Sequence, residues 1–384
     1  MSTPALATQQ ADVGIVGGGG AGCSAALHLA QRGARVVVLE RGLVGSQASG
    51  VNYGGVRQQG RHPAELPIAR RAHALWQRLP ELLGTDCEFE VTGHLKLARD
   101  EAEEADLVAY LDVARVHGLR LRLIGRNSLH RDYPWLGPRV VAGSLAPDDG
   151  AATPRLLAPA LARAAIAAGA QVLEGAEVLG LAHDGAGFVA EAAGTLFRAP
   201  WLLNCAGFWG GKIAATFGEP VPVSPMSPLM LVSEPVPWFI EPNLGVVGGN
   251  VYLRQIRRGN IIFGGGRGEN DPAIPYARAL PGPAMRAMRL ASELVPALAG
   301  VQIIRSWTGI DGEMPDHLPV IGASATTPGL LHAFGFSGHG FQLGPAIGAI
   351  LAELVFDGRT DLPLEPFAIG RFAGTTASTM GDGT

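Results

Sequence analysis

Val13-Gly14-Ile15-Val16-Gly17-Gly18-Gly19-Gly20-Ala21-Gly22 is the stretch whose reading decides the fold. An apolar run at 11–16 leads into glycines spaced G-x-G-x-x-G through Gly17, Gly19 and Gly22. A second apolar run at 34–39 ends in Glu40, 18 positions beyond Gly22. The order is strand, glycine turn, helix, strand, carboxylate. Gly17 permits the tight turn, Gly19 lets backbone approach a pyrophosphate, and Gly22 lets the helix pack closely on the strand. With Gly18 and Ala21 they form a helix N-terminus that offers N–H groups to phosphate oxygens. Glu40 can accept hydrogen bonds from a ribose diol. The segment predicts dinucleotide binding.

The remaining composition narrows the class. The chain of 384 residues is long enough for two cores. Its 30 basic and 34 acidic residues nearly cancel, which argues against nucleic acid and anionic membrane as partners. Lys96 and Lys212 are its only lysines. Cys23, Cys87 and Cys205 form no C-x-x-C pair and have no metal-ligand spacing, so no metal site is expected. The polar, uncharged stretch 1–10 lacks an export pattern, and no apolar run reaches spanning length. A cytoplasmic protein with no membrane span is expected.

Strands are predicted at 11–16, 34–40, 89–98, 119–124, 171–178, 187–192, 201–204, 246–253, 260–265 and 329–334. Helices are predicted at 20–32, 63–83, 100–117, 154–168, 281–298 and 344–356. The proline-rich segment 220–237 reads as a crossover or an edge strand. Gly264-Gly265-Gly266-Arg267-Gly268 reads as a strand exit, since it lacks the third spaced glycine and a following helix. The fold class is α/β: a Rossmann-like dinucleotide domain from 1–80, 145–220 and 305–384, with an inserted α+β antiparallel-sheet domain from 81–144 and 221–304.

A second glycine block, Gly335-Phe336-Ser337-Gly338-His339-Gly340-Phe341-Gln342-Leu343-Gly344, opens the last helix. Such an end can stabilise negative charge on a reduced flavin ring. Together with Ser49-Gly50-Val51-Asn52-Tyr53-Gly54-Gly55 and Leu203-Asn204-Cys205-Ala206-Gly207, these motifs resemble the D-amino-acid oxidase superfamily of FAD enzymes along essentially the whole chain. The closest wording is that of glycine and sarcosine oxidases and of the flavin subunits of opine oxidases and D-hydroxyproline dehydrogenases.

The resemblance implies FAD, and a substrate that is an amine or amino acid: a secondary amine, a D-amino acid or an opine-like compound. It implies that hydride passes to flavin N5, leaving an imine that hydrolyses. By the same resemblance, the stretch from Gly17 to Gly22 holds the pyrophosphate, with Glu40 and Arg41 at the adenosine ribose. Ala48, Ser49, Tyr53, Gly54 and Gly55 line the flavin, Val178 ends a strand at the adenine, and Gly207 follows a strand end in the site. Gly338, His339, Gly340, Phe341, Gln342 and Leu343 lie at the isoalloxazine edge.

Three departures from the family pattern shape further expectations. No cysteine lies near Gly309, where sarcosine oxidases attach their cofactor, so FAD is expected to be noncovalent. Asp311 stands where glycine oxidase has a carboxylate-binding arginine; it either pairs with a cationic group or caps a turn. A substrate carboxylate is then left to Arg57, Arg61 or Arg254, with Tyr252 either on the pocket wall or in the core. The strand 260–265 carries no lysine and both lysines are expected elsewhere, which favours slow oxygen use, with a quinone or partner subunit as alternative acceptor. His339 either shapes its loop or takes part in catalysis, and His62, His73 and His94 read as surface or packing residues. A flavin subunit without substrate activity of its own is the second functional reading.

Overall fold

The computed structural model describes residues 6–374; residues 1–5 of the polar N-terminal stretch lie outside the described residues. A six-stranded sheet runs in the order Val320–Ala323, Leu330–Phe334, Trp201–Asn204, Val13–Val16, Val36–Leu39 and Gln171–Leu173. All pairs are parallel except the first, which is a hairpin. Val13–Val16 and Val36–Leu39 are buried throughout, as expected of parallel strands covered on both faces. The chain crosses from Val13–Val16 to Val36–Leu39 on one side, and Trp201–Asn204 lies on the other. Gly17 therefore emerges at the switch point of the sheet, where open α/β sheets bind ligands.

The helix Gly20–Gln31 packs against the closing helix Gly340–Asp357 through glycine. A Cβ built on Gly344 would lie 3.4 Å from the Gly20 carbonyl carbon, and one built on Gly348 only 2.3 Å from that of Ser24. Residues 20 and 24 thus face 344 and 348 in rising register, so the two helices run parallel. Both positive N-terminal ends therefore point the same way, the closing helix beginning one turn earlier. Ser24 Oγ donates to the Pro345 carbonyl at 2.9 Å and fixes this register. The closing helix is long and apolar enough to cross a membrane, but 61% of it is buried inside the protein.

The second large sheet has eight strands: Ile303–Trp307, Pro228–Pro235, Asn260–Arg267, Tyr252–Gln255, Asn243–Val246, His94–Ala98, Ala142–Ala146 and Arg122–Gly125. Its strands come from the segments 94–146 and 228–307, and its core is built by Leu95, Leu97, Leu244, Leu253 and Phe263. Four shorter strands, Ala7–Gln10, Thr195–Ala199, Phe188–Ala192 and Val178–His183, form a separate sheet.

Several boundaries differ from the sequence reading. The predicted strand at 171–178 stops at Leu173, where Gly175 turns with φ +66°, and Val178 begins the next strand rather than ending one. The helix at 63–83 is broken at Arg78, because Pro80 cannot continue the ladder and restarts it. The proline-rich segment holds an interior strand, Pro228–Pro235, hydrogen-bonded on both sides. Its prolines sit at its two ends, where a missing N–H costs least. Gly264, Gly265 and Gly266 lie within a strand rather than at its exit.

Candidate active site

One cavity of about 1040 Å³ runs between the two large sheets, from the glycine turn to the N-terminus of the closing helix. Gly17 has φ +108°, and a Cβ there would lie 2.4 Å from the Cys205 carbonyl oxygen, so only glycine makes this turn. A Cβ on Gly22 would lie 2.0 Å from the Gly17 oxygen, which accounts for the close helix–strand approach. Gly17, Gly19 and Ala21 face the cavity, whereas Gly18 and Gly22 do not line it. Glu40 Oε2 accepts from Gly18 N and Oε1 from Gly42 N, both at 2.7 Å. Its carboxylate is thereby held beside the turn.

At the same end, the Arg41 guanidinium lies 4.2 Å from the Trp209 ring centre and 3.9 Å from Glu177, and Val178 and Gly207 also line the wall. Cys205 lines it too, its thiol pushed up to about 12 by burial. That keeps the sulfur protonated and unreactive.

The middle of the cavity is shaped by the short helix Ala48–Val51 and the turn after it. Ser49 Oγ accepts from Gly20 N at 2.9 Å, and Trp307 Nε1 donates to the Val51 carbonyl at 2.8 Å. Ala48, Ser49, Tyr53, Gly54 and Gly55 all line the cavity. Tyr53 and Tyr252 meet edge to face at 4.9 Å, so Tyr252 stands on the wall and not in the core. The Tyr53 hydroxyl is buried without a partner. Arg254 does not line the cavity. It lies behind Tyr53, donating to the Tyr53 and Ala152 carbonyls at 3.1 and 2.9 Å.

At the far end stand Ser337, Gly338, His339, Gly340 and Phe341. Gln342 and Leu343, expected at this edge, turn away from it. Gln342 Nε2 donates to the Ala69 carbonyl at 2.8 Å, and Leu343 is wholly buried in the core. Asp311 lines the cavity, and both of its oxygens are engaged: Oδ1 accepts from Gly312 N and Oδ2 from Gly338 N, each at 2.8 Å. The capping alternative describes this geometry. Burial raises the Asp311 carboxyl to about 6, against the pull of those two bonds.

His339 Nδ1 lies 2.8 Å from Glu65 Oε1. Burial pushes His339 down to about 4, so its ring is neutral at pH 7. Burial opposes ionisation of Glu65, but the His339 bond and the Arg61 charge win and hold it below the usual range. With Glu65 ionised, Nδ1–H must be the donor, which leaves Nε2 with a lone pair.

Arg57 and Arg61 share one wall with Lys96 and His94. Arg57 Nη1 donates to the Gln59 carbonyl at 2.5 Å, while Arg61 Nη1 is buried without a partner. Lys96 and His94 are the site residues that sequence reasoning missed. They alternate with core Leu95 and Leu97 on the strand His94–Ala98, so both turn to the cavity. His94 Nδ1 contacts Gln59 Oε1 at 2.9 Å, and burial holds its ring well below the usual range. Neither lysine lies on Asn260–Arg267, yet Lys96 and Lys212 both reach the cavity from other segments. Gly265 and Gly266 line it as well. Of the other histidines, His62 is exposed, and buried His73 contacts the Asp148 carbonyl.

A turn that only glycine makes, two parallel helix N-termini and one continuous cavity between them fit FAD, and together they define a flavin-dependent enzyme. A family model described as "DAO: FAD dependent oxidoreductase" matches residues 12–354. The chain belongs to this family and is an FAD-dependent amine or amino-acid oxidoreductase. It is 30% identical over 376 residues to glycine oxidase of Geobacillus kaustophilus, covering 96% of this chain and 98% of that protein. It is 27% identical to sarcosine oxidase subunit beta of Rhizobium meliloti, covering 94% and 88%. Its fold matches the crystal structure of L-proline dehydrogenase from P. horikoshii with a TM-score of 0.87 and 28% identity, covering 95% of this chain and 98% of the other.

Proposed function

We propose that the chain oxidises the C–N bond of an amine that carries a carboxylate, and that Arg61 holds that carboxylate. The buried, unpartnered Arg61 Nη1 carries this reading, because a guanidinium left without a partner in such a place is costly unless an anion completes it. Bound FAD accepts the hydride at N5, in keeping with the chemistry of the family. The protein's own part is to bind, orient and keep the site dry. Arg61 anchors one end of the substrate. Tyr53, Tyr252 and Phe341 wall the cavity with aromatic surface. The neutral ring of His339, held by Glu65, shapes the loop at this end of the cavity.

We infer in addition that FAD is noncovalent, since the cysteine on the wall, Cys205, lies at the glycine turn as a protonated thiol. Slow reoxidation by oxygen, by contrast, does not follow from a missing lysine, because Lys96 enters the cavity from the strand His94–Ala98. The reading of a flavin subunit that works only within a complex draws support from the sheet edge Ile303–Trp307, where Ile303 and Ile304 are exposed.

The test is product analysis. The isolated holoenzyme, mixed with glycine, sarcosine, D-amino acids and N-alkyl amino acids together with oxygen or an artificial electron acceptor, is expected to release an oxo product and ammonia or an amine from at least one. Turnover that appears only after partner chains are added would favour the subunit reading.

A further inference from the structure

The charges lining the cavity do not balance locally. Arg267 pairs with Glu313 at 2.7 Å and Arg41 with Glu177, while the carboxylates of Glu40 and Asp311 are bound by backbone N–H groups. Arg57, Arg61 and Lys96 remain together on one wall, and among the described residues none of the three forms a salt bridge with a carboxylate. Glu65, the acid nearest Arg61, is already bonded to His339.

The wall is built to keep two cations close. Gly60 has φ +73°, and a Cβ built on it would lie 3.2 Å from Lys96 Nζ and 3.4 Å from Arg57 Nη1. The two charged nitrogens thus both pack against Gly60 and lie close to one another. Gly245, the neighbour of Lys96 in register, has no side chain to cover it. Two like charges so placed on the cavity wall are stabilised when an anion in the cavity binds beside both. Burial and the Arg57 charge both push the Lys96 ammonium down, with only Asp106 opposing.

Building on the amine-oxidase reading above, we propose that Lys96 and Arg57 form a second anion subsite, so that the preferred substrate is an amine with two carboxylates. Arg61 takes the first carboxylate and the Lys96–Arg57 pair the second, which makes Lys96 a specificity residue and not a catalytic one.

The test uses simple acids that cannot be oxidised, titrated into the holoenzyme and read by the change in the visible flavin spectrum and by thermal shift. Glutarate is expected to bind about tenfold or more tightly than butyrate, roughly one added charge pair. In Lys96→Met the glutarate-to-butyrate affinity ratio falls to near one, while Lys96→Arg keeps it. The flavin content of both variants, measured alongside, shows that they have folded. Equal binding of the two acids by the wild-type protein, or an unchanged ratio in Lys96→Met, overturns the second subsite. If amines bleach the flavin yet glutarate shows no preference, only this subsite fails. If no amine bleaches it and no acid perturbs it, the reading of the cavity fails as well.

Discussion

Arg61 carries the substrate reading through a single nitrogen. Replacing it with methionine removes a charge-assisted bond worth about 1.5–3 kcal/mol. KM for a carboxylate-bearing amine should therefore rise by roughly ten- to a hundred-fold, with a smaller change in kcat. Steady-state kinetics on one reactive substrate checks this, and a loss confined to kcat would show that Arg61 does not bind the carboxylate.

Asp311 titrates with a raised value, about 6 against an unperturbed 3.8. The folded state therefore holds this proton more tightly than the unfolded chain does. Asp311 stabilises the fold most below pH 3.8, and that contribution is lost as pH rises through about 6. Asp311→Asn should gain stability relative to wild type between pH 4 and pH 6.5, as measured by urea unfolding of the holoenzyme at several pH values. A difference that does not change with pH contradicts the assignment.

Legibility in the sequence varied residue by residue. The glycine turn was readable because its spacing is local and each glycine has its own steric reason. The cavity-facing pair His94 and Lys96 was half readable: the alternation at 94–98 separates them from Leu95 and Leu97. What the strand alone cannot tell is which face of the sheet opens onto the cavity. Arg254 was misplaced for the same reason, since it shares a strand face with Tyr252 but lies behind the Tyr53 turn.

At the level of elements, the parallel contact between the helices Gly20–Gln31 and Gly340–Asp357 brings both N-termini to the cavity. It depends on the absence of a side chain at Gly348, where a Cβ would sit 2.3 Å from backbone. Gly348→Val should cost about 1–3 kcal/mol through overpacking and lower the flavin content of the purified protein. Urea unfolding and the FAD-to-protein ratio check this together, and an unchanged Tm with full FAD content would refute the packing argument. Among the strands that escaped the sequence reading, Ala7–Gln10 and Thr195–Ala199 are short and join a small sheet. The second follows a tight turn at Ala193 and Gly194, both at positive φ. That Ala-Gly pair is a weaker hairpin signal than Asn-Gly.

For the whole molecule, the α/β fold class was legible because helix-period and strand-period stretches alternate along the chain. The electron acceptor was not, since it depends on what reaches the reduced flavin and not on the pattern of any one strand. Two bulk experiments follow from the architecture. Acid precipitation should release the yellow colour into the supernatant, since the thiol on the cavity wall is protonated and lies at the adenosine end; colour kept by the pellet means a covalent bond. Exposure of the reduced enzyme to air separates oxidase from dehydrogenase by the rate at which colour returns.

The most direct measurement of the central claim is anaerobic mixing of the isolated holoenzyme with a panel of carboxylate-bearing amines. The cavity, the two helix ends and the unpaired Arg61 predict that at least one of them bleaches the flavin completely and stoichiometrically. A flavin that stays yellow with every amine, yet is bleached by dithionite, would contradict the account.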